Sequence, residues 1–286
     1  MRIMRSWMFV PGHQQRMIDK AYELKLDVAM FDIEDGVPPG EKDTARAMMA
    51  ETLAHPSSGM LRFVRIHPTG TEAIAADLPA VIQPGLNGLT LTKVHCPEDV
   101  LQVCAVLDER EEGAGLQRGS VRLLATIESA RGLIQAAAIA ASTPRLVGLM
   151  FGAEDFAMDM GMFNISQGEA GDYLYARSAL AVAAVSEGLQ AIDRVYVDFR
   201  NPAGLEQDTQ LARDLGFTGK ALIHPAQIDV VEKVFRPTDA EVEYARRVVD
   251  AFEAAEAAGA GAVAVDGQMV DLPVVERARR VLQLVL

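Results

Sequence analysis

Short apolar runs alternate with longer amphipathic stretches along most of the chain. The runs at residues 7–10, 28–33, 61–66, 88–92, 122–127, 146–151, 191–197 and 220–223 are bounded by polar and turn residues, a pattern that predicts strands. Between them, residues 14–24, 42–53, 97–111, 130–141, 173–187, 205–215 and 226–234 carry apolar side chains at helical spacing with charged residues on the opposite face, which predicts helices. Repeated βα units build a parallel sheet, and about eight strands are what a closed barrel requires. The expected fold is therefore α/β, a TIM (β/α)8 barrel over residues 1–236.

The pattern changes after the eighth unit. Residues 238–258 read as one long helix, followed by a Gly-Ala spacer and an Asp266-Gly267 pair between alternating apolar residues, the signature of a tight hairpin. A final helix starts near Pro273. Residues 237–286 thus form a helix and hairpin extension that either caps the barrel or reaches a neighbouring subunit.

Composition narrows the possible partners. With 286 residues, half of them hydrophobic, the chain can bury a full core as one barrel domain. Lys and Arg total 27 against 40 Asp and Glu, a net charge of −13, which argues against nucleic acid as a partner. An anionic ligand needs a local basic pocket instead. Cys96 and Cys104 form no metal or redox spacing and read as reduced thiols. The apolar run after the basic start is too short for a signal peptide, and no run reaches the roughly 18 residues of a membrane span. A soluble, cytoplasmic protein without a membrane partner is expected.

Chemistry on a barrel of this kind sits where the strands end, so the residues after each strand matter most. Here they are polar throughout: Pro11-Gly12-His13, Asp32-Ile33-Glu34-Asp35-Gly36, Arg65-Ile66-His67-Pro68, Thr92-Lys93-Val94-His95, Glu128-Ser129, Glu154-Asp155 and His224-Pro225-Ala226-Gln227. Glu128 and the Glu154-Asp155 pair come from adjacent strands and suit Mg²⁺, which takes a few carboxylates and keeps sites for water and substrate. The alternative is that these acids cap the following helices. Asp32, Glu34 and Asp35 form a second acidic cluster, either around the metal's water shell or accepting hydrogen bonds from Arg and Lys across the mouth. Arg65 lies inside an apolar strand and needs an anionic partner, an acid of that cluster or a substrate carboxylate. His13, His67, His95 and His224 show no metal spacing and read as hydrogen-bonding wall residues. Serine-hydrolase, P-loop and dinucleotide-binding motifs are absent.

Several blocks carry a family resemblance: Arg5-Ser6-Trp7-Met8-Phe9-Val10-Pro11-Gly12, Phe31-Asp32-Ile33-Glu34-Asp35-Gly36-Val37, Val64-Arg65-Ile66-His67-Pro68, Ile127-Glu128-Ser129-Ala130-Arg131-Gly132 and Phe151-Gly152-Ala153-Glu154-Asp155-Phe156. So do Phe217-Thr218-Gly219-Lys220, Ile223-His224-Pro225-Ala226-Gln227 and Asp266-Gly267-Gln268-Met269-Val270-Asp271. In order and nearly end to end, they resemble the citrate lyase β-subunit, citramalyl-CoA lyase and malyl-CoA lyase family of the HpcH/HpaI aldolase superfamily. His67 stands where that family usually has Asn, and Thr92 and His95 flank Lys93 where Pro and Glu are common. The resemblance places these departures near the acyl group.

What the resemblance implies is a homotrimer or hexamer in which Glu128 and Asp155 hold Mg²⁺ and, with Arg65, bind a CoA thioester. Asp271 would reach a neighbouring active site as general acid or base. Arg16 and Lys20 would meet the CoA phosphates. The implied reaction is retro-Claisen cleavage of a 3-hydroxyacyl-CoA, of the malyl-, citramalyl- or citryl-CoA type, into an acyl-CoA and a 2-oxo acid. Three other readings remain: a citrate lyase subunit acting on a citryl-acyl carrier protein, a CoA-independent class II pyruvate aldolase, and a CoA-binding protein without catalysis. Residues 266–271 read alone favour a turn or capping role for Asp271.

Overall fold

The computed structural model describes residues 3–57, 59–162 and 173–285; Met1 and Arg2 of the basic start lie outside the described residues. The chain divides into two compact units, Met1–Glu232 and Lys233–Leu286.

In the first unit, β1 (Ser6–Pro11), β2 (Val28–Asp32), β3 (Leu61–Ile66), β4 (Gly88–Leu91), β5 (Arg122–Ile127), β6 (Leu146–Phe151), β7 (Gln190–Asp193) and β8 (Gly219–Leu222) pair in sequence order. All neighbours are parallel, and β8 closes on β1. The connections carry α1 (Gln15–Glu23), α2 (Lys42–Ala54), α3 (Glu72–Val81), α4 (Pro97–Arg110), α5 (Ala130–Ile134), α6 (Ala136–Ala140), α7 (Ala153–Asp159), α8 (Leu174–Ser186) and α9 (Pro202–Asp214), and α10 (Ile228–Phe235) follows β8. The expected barrel is present.

The differences from the periodicity are local. The helix expected over 130–141 is two short helices, because Gln135 sits at ψ 0, outside the helical well. β7 stops at Asp193, short of the expected 197: Arg194 turns onto Asp208 of α9, and the Tyr196 carbonyl accepts from Gln227 Nε2 in place of a neighbouring strand. α3 is not evident in the pattern, and it carries Pro79 within its length.

Strand side chains alternate between two environments. One set points into the barrel, where Trp7, Val28, Met30, Phe63, Leu124, Met150, Ile192 and Ala221 form one buried cluster. Trp7 and Phe63 meet edge to face at 5.0 Å. The other set faces the helices, and on β7 and β8 it is charged. Buried Lys220 pairs with Asp193 and with Asp208, the latter at 2.7 Å. Arg177 of α8 grips Asp193 through Nε and Nη2 at 3.0 and 2.9 Å, and Arg194 reaches Asp208 at 3.0 Å. Three cations thus share two carboxylates between sheet and helices.

The second unit has its own small core. Thr238 and Glu241 cap α11 (Asp239–Ala257) reciprocally, each side chain bonding the other's backbone N–H. β9 (Val263–Val265) and β10 (Gln268–Val270) form an antiparallel hairpin whose turn residues Asp266 and Gly267 have φ 50 and 77. α12 (Leu272–Gln283) follows, and Val248, Phe252, Val265, Val270 and Val275 bury against one another.

Candidate active site

The inward phase that builds the barrel core also builds the site. On β2, Val28 and Met30 point inward, and two residues later so does Asp32. Phe63 is followed in the same way by Arg65, and Leu124 by Thr126 and Glu128. Each apolar layer therefore gives way to polar groups at the C-terminal mouth. There they line a cavity of about 390 Å³ together with Phe9, Glu154 and Asp155.

Arg65 is clamped along one edge. Its Nε and Nη2 donate to the two oxygens of Asp32 at 2.9 and 2.6 Å, and Nη1 lies 3.4 Å from Glu34. The guanidinium stands 4.9 Å over the Phe9 ring. Burial alone would lower its pKa, but the hydrogen bonds and charge of Asp32, with Glu34 and Glu128 behind, hold it above its ordinary value. Asp32 is fixed in turn by the backbone N–H groups of Glu34 and Gly36. On the same rim Lys93 donates to Glu34 at 3.0 Å and Asp35 at 2.8 Å. The second acidic cluster thus accepts from Arg and Lys across the mouth.

Glu128 is 6% exposed, and its Oε1 accepts the backbone N–H of Lys93 at 2.5 Å. Among the described residues its Oε2 receives no donor. Burial, with Asp155 nearby, pushes the carboxyl up to about 8 against the pull of the Lys93 N–H. The side chain lies across the end of β6, where Gly152 makes room: a Cβ there would stand 2.4 Å from Oε2. Asp155 and Glu154 occupy the first turn of α7, where a helix N-terminus favours carboxylates, and among the described residues neither side chain makes a capping hydrogen bond. Among the described residues no three His, Cys, Asp or Glu side chains group as a metal cluster. Two carboxylates, one buried with a free oxygen, remain a fitting donor set for Mg²⁺, which often takes one or two carboxylates and fills its octahedron with water and substrate.

None of the four histidines expected as wall residues lines this cavity; His13 lies 3.3 Å from Gln14 through Nε2, with its Nδ1 buried and unpartnered among the described residues, and the other three bond elsewhere. His67 pairs with buried Asp77 at 2.7 Å, His95 with Ser129 at 2.8 Å, and His224 accepts from the Ala226 N–H while stacking on Phe199 at 4.6 Å. On α1, Arg16 is exposed and Lys20 pairs with Glu23 at 2.7 Å. Asp271 holds the N-cap position of α12, yet its side chain makes no capping bond; the backbone carbonyl takes the Val274 and Val275 N–H groups. The turn-or-cap reading thus leaves its carboxylate unused.

A family model described as HpcH/HpaI aldolase/citrate lyase matches residues 5–225. The chain belongs to that family. A second model, C-C_Bond_Lyase of the TIM-Barrel fold, matches residues 170–284, and the protein is a carbon–carbon lyase. Citrate lyase subunit beta of Escherichia coli K12 is 41% identical over 98% of this chain and 93% of its own length. The mitochondrial citramalyl-CoA lyase of Rattus norvegicus is 35% identical over 98% of this chain and 85% of its own. Among solved structures, CitE from Mycobacterium tuberculosis in complex with magnesium, acetoacetate and coenzyme A superposes with a TM-score of 0.81 at 32% identity, covering 98% of this chain and 97% of that one.

The sequence pattern of this lyase does not reveal Lys93 as a partner of Glu128. Its side chain type gives no hint, because the contact is made by the backbone. The signal is the left-handed φ of 52, a property of the folded chain.

Proposed function

We propose that this lyase is Mg²⁺-dependent and cleaves a 3-hydroxyacyl-CoA thioester into an acyl-CoA and a 2-oxo acid. The supporting observation is the conjunction in one cavity of buried Glu128 with a free oxygen, Asp155, and an arginine clamped in place. Glu128 and Asp155 would hold the metal. Bound there, Mg²⁺ would acidify the substrate hydroxyl, whose proton would pass to solvent as the carbon–carbon bond breaks and its electron pair goes to the acyl-CoA fragment. Arg65, with its Nε–Nη2 edge fixed on Asp32, would keep Nη1 for the thioester oxygen as charge moves onto it. Asp271 would protonate the resulting carbon, and in the reverse direction remove that proton. We place Asp271 in a neighbouring subunit's site, with residues 237–286 as the reaching extension of a homotrimer or hexamer, and Arg16 and Lys20 near the CoA phosphates.

The test is to mix the protein with Mg²⁺ and malyl-, citramalyl- and citryl-CoA, following products by mass spectrometry. Cleavage that EDTA abolishes supports the reading. Folded protein that binds Mg²⁺ by calorimetry but cleaves no free thioester would sink it. That outcome would favour the second reading, a subunit working on a carrier-bound thioester, which the likeness to a relative named as a subunit supports.

A further inference from the structure

A second arginine, this one buried, sits at the other end of β3. Arg62 is 5% exposed and belongs to the N-terminal end of the barrel, away from the mouth that holds Glu128. Its Nη1 donates to the carbonyls of Thr52 and His55 at the end of α2 and to the Tyr22 hydroxyl. That arrangement suits a cation at a helix C-terminus and accounts for one corner of the guanidinium. The opposite edge is unaccounted for. Nε is buried with no acceptor, and among the described residues Nη2 donates to none and no carboxylate pairs with Arg62.

That same edge is occupied in Arg65 and Arg177, whereas buried Arg145 meets Glu111 through Nη1 and Nη2 and buried Arg194 pairs with Asp208 through Nη2 and leaves its Nε without an acceptor. Arg65 uses Nε and Nη2 on the two oxygens of Asp32, and Arg177 uses Nε and Nη2 on the two oxygens of Asp193. Two side-by-side oxygens are what this edge binds best. Beside Arg62 lies a cavity of about 450 Å³, walled by Leu53, His55, Gln83, Pro84 and Gly85. Gly85 has φ 97, and a Cβ there would stand 2.4 Å from Nη2, so the residue that borders the free edge is one with no side chain to cover it.

We propose that this cavity binds a small oxyanion, a carboxylate or a phosphate, held by Nη2 of Arg62. The site is separate from the catalytic mouth. In a chain of net charge −13 it would be a local exception, created by burying one cation without its counter-ion.

The test is calorimetric titration of the metal-free protein with inorganic phosphate and, separately, with acetate, at constant ionic strength. Saturable binding of either anion, with a dissociation constant of roughly 1 mM or below, is expected. Phosphate alone would identify a tetrahedral ligand, acetate alone a carboxylate, and both the shared chemistry. Arg62→Gln should abolish the binding. Because that change also loosens the end of α2, Gln83→Glu is the companion variant: it keeps Arg62, gives up the Gln83 bond to the Ala50 carbonyl, places a carboxylate in the cavity, and should weaken the anion at least tenfold. Arg65→Gln should leave the binding unchanged. No saturable binding, or binding lost in Arg65→Gln but untouched by Gln83→Glu, overturns the proposal.

Discussion

Lys93 hands its backbone N–H to Glu128 from a left-handed conformation, φ 52, while its ammonium spans to Glu34 and Asp35. That backbone geometry costs a non-glycine residue about 1 kcal/mol, and here it aims the N–H at a buried carboxylate. The two roles are separable by Lys93→Gly, which adopts φ 52 without strain, keeps the N–H and loses the ammonium. Mg²⁺ affinity should stay within about threefold. The value of kcat/KM should fall about tenfold as Glu34 and Arg65 loosen, a loss of about 1.4 kcal/mol in transition-state stabilisation. Metal affinity that collapses in Lys93→Gly would show that the ammonium, not the N–H, holds Glu128.

Gly152 provides a second, purely steric handle on the same carboxylate. A methyl at this position would meet Glu128 Oε2 at 2.4 Å and Glu128 Cβ at 2.6 Å. Gly152→Ala should therefore displace Glu128, destabilise the fold by about 1–3 kcal/mol, and cost far more in metal binding than in stability. Chemical denaturation and Mg²⁺ calorimetry on one preparation check both halves. An unaltered metal affinity would mean that Glu128 is not a ligand.

Much of the barrel and its mouth is legible in the amino-acid pattern. Period-two alternation predicts that Asp32, Arg65 and Glu128 share the inward phase of their strands, and the barrel converts that phase into one mouth. What the sequence hides is whatever depends on backbone direction or on helix-facing polarity. Lys220 and Asp193 sit in apolar-looking strands, and nothing local says that their partners are Arg177 and Asp208, on helices α8 and α9. Arg62 and Arg65 look alike in the sequence, three residues apart on one strand. Folding alone separates them, leaving one satisfied by Asp32 and the other with an open edge.

The charged layer behind β7 and β8 predicts an acid limit to stability. Burial would raise the Asp208 carboxyl, but Lys220, Arg194 and Arg177 hold it at about 2. Because the folded value lies below the ordinary one of about 3.9, the stabilisation is complete above that pH and disappears as pH falls through about 2, amounting to ~2 kcal/mol. Urea unfolding between about pH 5 and pH 2 should show this loss in the parent protein. It should be missing from Asp208→Asn, which is less stable at every pH because it leaves Arg194 without its carboxylate and Arg177 and Lys220 sharing Asp193 alone. Equal acid sensitivity in both proteins would assign the loss to other carboxylates.

Asp271 offers the sharpest test of the assembly. Its carboxylate makes no capping bond although its backbone occupies the cap position, so Asp271→Ala should alter Tm little while reducing turnover at least ~100-fold, as loss of a general acid does. Glu128→Ala should be equally inactive for a different reason, loss of the metal. If each active site combines the barrel of one subunit with the tail of another, mixing the two dead variants under conditions that let subunits exchange restores some sites. A site works when its barrel comes from the Asp271→Ala chain and its tail from the Glu128→Ala chain, so an equal mixture should recover about one quarter of the parent activity. If each tail serves its own barrel, every site in the mixture carries one lesion and no activity returns. Recovery near one quarter would establish that the extension crosses between subunits, and its absence, in a mixture shown by native mass spectrometry to have exchanged, would return Asp271 to its own barrel or remove it from the mechanism.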